Sequence, residues 1–139
     1  MNRKDWNEYF MGIAKLVSER ATCERLKVGA VVVREKRIIA TGFNGSVTGT
    51  EHCIDVGCDV VDNHCIRTLH AEHNAILQCA KFGVATVGAE IYVTHFPCFQ
   101  CAKIIAQTGI TKVYYNAGYN NDERTYNLFK QLGIECIKI

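Results

Sequence analysis

The sequence predicts a three-layer α/β/α domain around a mixed sheet of about five strands. Three observations carry that expectation. Through the second half of the chain, short β-branched and aromatic runs alternate with helical periods, a pattern that calls for parallel strands with helices on their faces. Two adjacent apolar runs, residues 28–33 and 38–43, flank the charged turn Arg34-Glu35-Lys36-Arg37 and read as a hairpin. The chain has 139 residues, 48% of them hydrophobic and 22% charged, enough for one core and one domain spanning the whole length.

The elements follow in order. Residues 5–20 place Trp6, Tyr9, Phe10, Ile13, Leu16 and Val17 at helical spacing, so the chain opens with an amphipathic helix before the hairpin. Residues 44–68 have no sustained period, only Gly45, Gly49 and Gly57 among His52, Cys53, Cys58, His64 and Cys65. An irregular stretch of that length inside a compact domain needs something to hold it. Helices are then expected over 71–82, 98–107 and 123–132, and strands over 91–94, 112–115 and 135–139. No repeat, low-complexity tract or linker interrupts them.

A formal charge of +2 with no long run of like charges gives no reason to expect a nucleic-acid partner. The first residues are charged and amphipathic, and no apolar stretch is long enough to span a bilayer, so neither a membrane partner nor a signal segment is expected and the location read is cytoplasmic. Eight cysteines in a reducing compartment point to metal binding rather than disulfides.

The chemistry concentrates in His70-Ala71-Glu72 and Pro97-Cys98-Phe99-Gln100-Cys101. Here His70, Cys98 and Cys101 supply three zinc ligands, and three rather than four is the count that leaves a position for water in a catalytic site. Cys-x-x-Cys lets two sulfurs reach one metal from a single turn, while His70 must arrive from another element. Both segments are expected at helix N-termini, whose positive dipole ends favour the thiolates that ligate. Bound zinc lowers the pKa of its water from about 15.7 towards about 7 in favourable sites. Glu72, not needed as a ligand, suits the proton shuttle from that water to a ring nitrogen and then to a departing amine. The blander readings are a structural zinc clip or redox pair for the cysteines, and simple dipole complementation for Glu72.

This constellation resembles the cytidine deaminase-like superfamily, and the wider chain resembles its deoxycytidylate (dCMP) deaminases. The resemblance runs through Lys27-Val28-Gly29-Ala30-Val31-Val32-Val33, Gly42-Phe43-Asn44-Gly45, His70-Ala71-Glu72-His73-Asn74-Ala75-Ile76-Leu77 and Tyr92-Val93-Thr94. It implies the cytidine deaminase-like fold and zinc-dependent hydrolysis of dCMP to dUMP and ammonia, feeding thymidylate synthesis. It also implies that Asn44 contacts the sugar and that the backbone N–H of Ala71 meets the pyrimidine O2, with Asn74 fixing the site. As Asn-Gly is a turn signal, Asn44 also has a purely structural reading. Arg25, Lys27 and Arg67 are candidates for the phosphate, and Tyr115 and Tyr119 for flanking the nucleotide, against the defaults of surface charge and core packing.

Two positions depart from the family pattern: His73 stands where Met or Leu is usual, and Phe96 where Ser is frequent. His73 reads as a solvent or subunit-contact residue. A second pool of soft ligands suggests a structural zinc, as some of these deaminases carry, with Cys23, Cys53 and His64 as the core set and the fourth ligand open between Cys65, Cys58 and His52. Cys79 and Cys136 read as core thiols. The resemblance further implies a homohexamer activated by dCTP with Mg2+ and inhibited by dTTP, regulated through Gly42, Phe43, Asn44 and Gly45, with Lys81 near another subunit. The alternatives are a tRNA adenosine or guanine deaminase, or a noncatalytic zinc-stabilised interaction module. A free cytidine deaminase usually has Cys at the position of His70.

Overall fold

The computed structural model describes residues 2–118 and 121–139, the side chain of His64 excepted. The chain begins with α1 (Trp6–Ser18), whose N-terminus is capped by the Asp5 carboxylate accepting the Glu8 amide at 2.8 Å, as a short acidic side chain is suited to do. Strands β1 (Gly29–Arg34) and β2 (Arg37–Phe43) pair antiparallel around Glu35 and Lys36, whose φ angles are 52° and 62°. That double left-handed turn matches the twist of a two-residue hairpin.

The stretch expected to be irregular, residues 44–68, is with Leu69 built from very short pieces: β3 (Gly45–Ser46), α2 (Cys53–Val56), β4 (Val60–Val61), β5 (His64–Cys65) and β6 (Thr68–Leu69). Here β3 pairs with β6 and β4 with β5, making two small ribbons beside the main sheet. The remainder alternates as expected: α3 (Ala71–Phe82), β7 (Glu90–His95), α4 (Phe99–Gln107), β8 (Lys112–Ala117), α5 (Glu123–Leu132) and β9 (Glu135–Lys138).

The main sheet runs β2-β1-β7-β8-β9. Its first two junctions are antiparallel and its last two parallel, so the sheet is mixed. Alternating side chains on β1 feed opposite layers. Ala30 and Val32 join Ala71, Ala75, Ile105 and Phe129 under α3, α4 and α5, whereas Val31 and Val33 join Phe10, Met11 and Ala14 of α1. These are the three layers. Phe10 is fully enclosed against Tyr92, with ring centroids 5.3 Å apart, and truncating such a ring to Ala costs about 3–5 kcal/mol.

Gly42 sets the distance between β2 and α3. A methyl there would lie within 3.0 Å of both the Ala71 carbonyl oxygen and the Ala75 amide nitrogen, so the helix can seat this deeply only over a residue without a side chain. No helix among the described residues is long and apolar enough to cross a membrane.

Candidate metal centre and pocket

His70 and Cys98 are the N-cap residues of α3 and α4, with extended backbones at ψ 154° and 165°. Neither side chain caps its helix, which leaves both aimed at the space between the two N-termini. Cys101 lies one turn into α4 and is fully buried. The three ligating atoms lie within 4.8 Å of one another, with His70 Nδ1 3.2 Å from the Cys101 sulfur and 3.5 Å from the Cys98 sulfur. One imidazole and two thiolates form the soft, borderline donor set that suits zinc and disfavours magnesium or calcium. The residues therefore fit a three-ligand zinc centre.

Electrostatics agree with that use. The Cys101 thiol donates to Cys98, and with the His70 ring beside it the Cys98 thiol is drawn down to about 3, a stable thiolate. Its partner Cys101 is pushed up, first by that same sulfur and then by burial. The hydrogen bond to Cys98 raises His70. Glu72, on the first turn of α3, is 4% exposed, and burial lifts its carboxyl to about 6. A carboxyl so placed can both take and return a proton near neutral pH.

The turn carrying Cys98 is anchored by α5, which packs beside α4 on the same face of the sheet. Thr125 of α5, fully buried, donates its hydroxyl to the Pro97 carbonyl at 3.3 Å. On α3, Asn74 donates to the Phe43 carbonyl at 2.8 Å, tying the helix to the end of β2. His73 lies against His70, with ring centroids 5.6 Å apart and an interplanar angle of 21°. It is half-buried rather than solvent-facing, and its Nε2 has no hydrogen-bond partner among the described residues.

A cavity of about 160 Å³ opens onto this centre. Arg25, Asn44, Ala71 and Glu72 of the expected site line it. Asn44 has a structural task as well: its Oδ1 accepts the Val28 amide at 2.8 Å and its Nδ2 donates to the Leu26 carbonyl at 2.6 Å. One amide hydrogen is left for another partner.

Other expected residues lie elsewhere. Lys27 is exposed and outside the cavity lining. Tyr115 is a correction: it is 6% exposed and stands edge-on behind Phe96, with centroids 5.0 Å apart and its hydroxyl 3.0 Å from that of Tyr126. The alternation of β8 turns it into the core, and Phe96 rather than Tyr115 reaches the cavity. Arg67 is part-buried with its Nε unpartnered among the described residues, and Tyr119 lies outside the described residues. Gly42 and Gly45 are buried, and Phe43 is half-buried beside them.

Among the lining residues that sequence reasoning passed over are Asn63 and His95. Asp62-Asn63, with φ angles of 50° and 64°, is a two-residue hairpin turn that its residue types signal. His95 ends β7, and ligands gather at the carboxyl ends of strands in α/β sheets.

A second cluster walls the same cavity. The sulfurs of Cys23, Cys53, Cys58 and Cys65 lie within 4.8 Å of one another, and Cys23 and Cys65 also line the pocket. The sulfurs of Cys23 and Cys58 are 3.8 Å apart and those of Cys53 and Cys65 are 3.6 Å apart, so all four are free thiols. Burial pushes Cys53 up to about 12. Burial acts the same way on Cys65, but backbone hydrogen bonds at Arg67 and Asp59 outweigh it and bring that thiol to about 6. Of the expected core set, Cys23 and Cys53 lie in this cluster, joined by both Cys58 and Cys65 from the three candidates for the fourth place, while the side chain of His64 is outside the described residues. His52 is exposed and not part of the cluster. Cys79 is buried in the core, with Cys136 packed against that core.

Residues 4–117 match the family described as the cytidine and deoxycytidylate deaminase zinc-binding region. The chain is 57% identical over 134 residues to ComE operon protein 2 of Bacillus subtilis, across 96% of this chain and 71% of that protein. It is 40% identical over 126 residues to the deoxycytidylate deaminase of Mycobacterium phage D29, across 83% and 97% respectively. Among solved structures, the dCMP deaminase of cyanophage S-TIM5 in complex with dCMP and dUMP superposes with a TM-score of 0.87 at 37% identity, covering 100% of both chains.

Proposed function

The chain belongs to the cytidine and deoxycytidylate deaminase zinc-binding family, and from that premise we propose that it converts dCMP and water to dUMP and ammonia, supplying dUMP for thymidylate synthesis. The observation that carries the reading is the buried Glu72 carboxyl, close to neutrality, in a cavity that opens onto a three-ligand zinc set. A purely structural zinc site needs a fourth protein ligand and no such carboxyl.

Zinc held by His70, Cys98 and Cys101 supplies Lewis acidity and a water of lowered pKa. Glu72 takes the proton of the attacking water and delivers it to the ring nitrogen, then passes a proton to the departing amine, so that the amine-bearing carbon becomes a carbonyl and ammonia leaves. The amide of Ala71, in the first turn of α3 where an N–H has no intrahelical acceptor, donates to the pyrimidine O2. Asn44 holds the segment of residues 26–28 and offers its remaining amide hydrogen to the sugar, and Arg25 takes the phosphate side. Asn74 and Thr125 keep the two ligand-bearing turns in place.

The reading includes a second, structural zinc at Cys23, Cys53, Cys58 and Cys65, supported by a closed set of four sulfurs. It would hold together the short ribbons of residues 44–69, which bury few side chains of their own. It also includes a homohexamer activated by dCTP with Mg2+ and inhibited by dTTP through the segment Gly42-Phe43-Asn44-Gly45. Exposed Leu77 and Phe82 on neighbouring α3 support a subunit contact there.

The test is ammonia release by zinc-loaded protein offered dCMP, deoxycytidine, CMP, guanine and a tRNA anticodon stem, each with and without dCTP and magnesium. Selective turnover of dCMP, raised by dCTP, is the expected result. Turnover of another base, or of none by folded and zinc-bound protein, overturns it.

A further inference from the structure

Antiparallel pairing of β1 with β7 places Ala30 opposite Val93. The next step along the ladder is made by a side chain: the Gly29 amide donates to the Thr94 hydroxyl oxygen at 3.1 Å. His95 comes one residue later, at the end of β7 and level with Val28, and both residues line the cavity. The Thr94 oxygen is also 2.9 Å from His95 Nδ1.

This chain of contacts fixes the imidazole. Burial lowers the pKa of His95, so the ring is neutral and carries a single hydrogen. The Gly29 hydrogen takes one lone pair of the Thr94 oxygen, and among the described residues the hydroxyl proton has no acceptor other than Nδ1. With Thr94 donating to Nδ1, the ring hydrogen sits on Nε2. Among the described residues the ring makes no other hydrogen bond, so Nε2–H is an uncommitted donor held in one tautomer at the cavity wall.

The surroundings say what such a donor would meet. Besides His95, the cavity presents the Arg25 guanidinium, the Asn63 amide and the spare Asn44 hydrogen, and among its described lining residues Glu72 is the one carboxylate. Arg25 and Asn63 are joined by a 3.2 Å hydrogen bond. Glu72 and Cys98 belong to the metal end and Cys65 to the four-sulfur cluster, and the donors left for an anion are Arg25, Asn63, Asn44 and His95.

We propose that His95 binds substrate, its Nε2–H donating to the 5′-phosphate of a nucleoside monophosphate held in the cavity, with Thr94 as the positioning residue that sets its tautomer. This deepens the deaminase reading and rests on it.

The experiment measures binding of dUMP and of deoxyuridine by calorimetry to zinc-loaded wild type, His95→Ala, His95→Gln and Thr94→Val, with zinc content and melting temperature as folding controls. His95→Ala should weaken dUMP by about tenfold and leave deoxyuridine within about twofold. His95→Gln, which keeps an N–H donor, should recover most of the loss, and Thr94→Val should show part of it. In 15N-labelled wild type, dUMP and not deoxyuridine should shift the His95 Nε2 resonance. Equal weakening of both ligands, no weakening of either, or an unmoved Nε2 resonance on dUMP binding overturns the proposal. Ammonia release from dCMP is read separately. An active wild type with an indifferent His95 defeats this inference alone, whereas phosphate-selective binding through His95 without turnover of dCMP defeats the deamination step and not the binding role.

Discussion

Replacing Gly42 by Ala adds one methyl group where β2 meets α3, and the consequence can be worked from the geometry. That methyl would fall inside 3.0 Å of the Ala71 carbonyl oxygen and the Ala75 amide nitrogen, both backbone atoms that no rotamer change can move. The helix must retreat by roughly 0.5–1 Å, and overpacking of this kind costs about 1–3 kcal/mol. For a domain of this size that is a fall in melting temperature of about 3–15 °C. Because α3 begins with His70 as its cap and carries Ala71 and Glu72 in its first turn, the same retreat displaces the proton carrier. A misplacement near 1 Å costs up to about 10²-fold in rate. Differential scanning calorimetry and kcat/KM for dCMP, with zinc content measured on the same samples, check both effects. Gly12→Ala on α1, where nothing lies within 4 Å of the added methyl, is the control and should stabilise the protein by about 0.5–1 kcal/mol. A Gly42→Ala protein with unchanged melting temperature and activity would refute the packing argument. One that keeps its stability and basal rate but loses its response to dCTP would show that the glycine serves regulation instead.

Three further outcomes are expected. Glu72→Gln should retain the zinc bound by His70, Cys98 and Cys101 while turnover of dCMP falls by about 10²–10⁴-fold, and zinc analysis beside steady-state kinetics would expose a lost metal or an undiminished rate. Cys58→Ser should reduce the zinc content from two ions per chain to one and lower the melting temperature, as measured by plasma emission and calorimetry; two ions retained at full stability would remove Cys58 from the set. Asn44→Ala leaves the Leu26 carbonyl and the Val28 amide without their side-chain partners, so denaturant unfolding should show a loss of about 2–3 kcal/mol, and a loss below about 0.5 kcal/mol would mean that water replaces the clamp.

Much of the architecture can be read from pattern because its signals are local. Helices expected over 71–82 and 123–132 have those bounds in the structure, where each amphipathic period runs up to a glycine, Gly83 or Gly133, in the left-handed region. The zinc triad is legible because spacing alone lets Cys98 and Cys101 share a metal. Residues 44–69 resist the same reading because strands of two residues are too short to display a period. The fourth sulfur of the second cluster is a matter of tertiary geometry: Cys23 and Cys58 come together across thirty-five positions. For Tyr115 the residue type suggested a nucleotide contact, but alternation along β8 turns that ring into the core, and Phe96, just past the end of β7, is the aromatic that lines the cavity. His95 escaped notice because nothing local marks its tautomer, which depends on a hydroxyl that also serves Gly29, a residue on another strand.

The placement of β1 between β2 and β7 has a consequence during synthesis. One flank of β1 is satisfied at once by the hairpin, but the other waits for Val93 to reach Ala30, a closure over about sixty residues. As the chain leaves the ribosome, a twisted apolar ribbon with an open edge therefore exists before its neighbour does, and during that interval it is the part of the molecule most prone to pair with another nascent chain. The arrival of β7 closes that edge and, six residues after His95, delivers Cys101. The step that covers that edge thus also brings in the last ligand, and metal capture reports a β1 seated between both its neighbours, with β8 and β9 still to join.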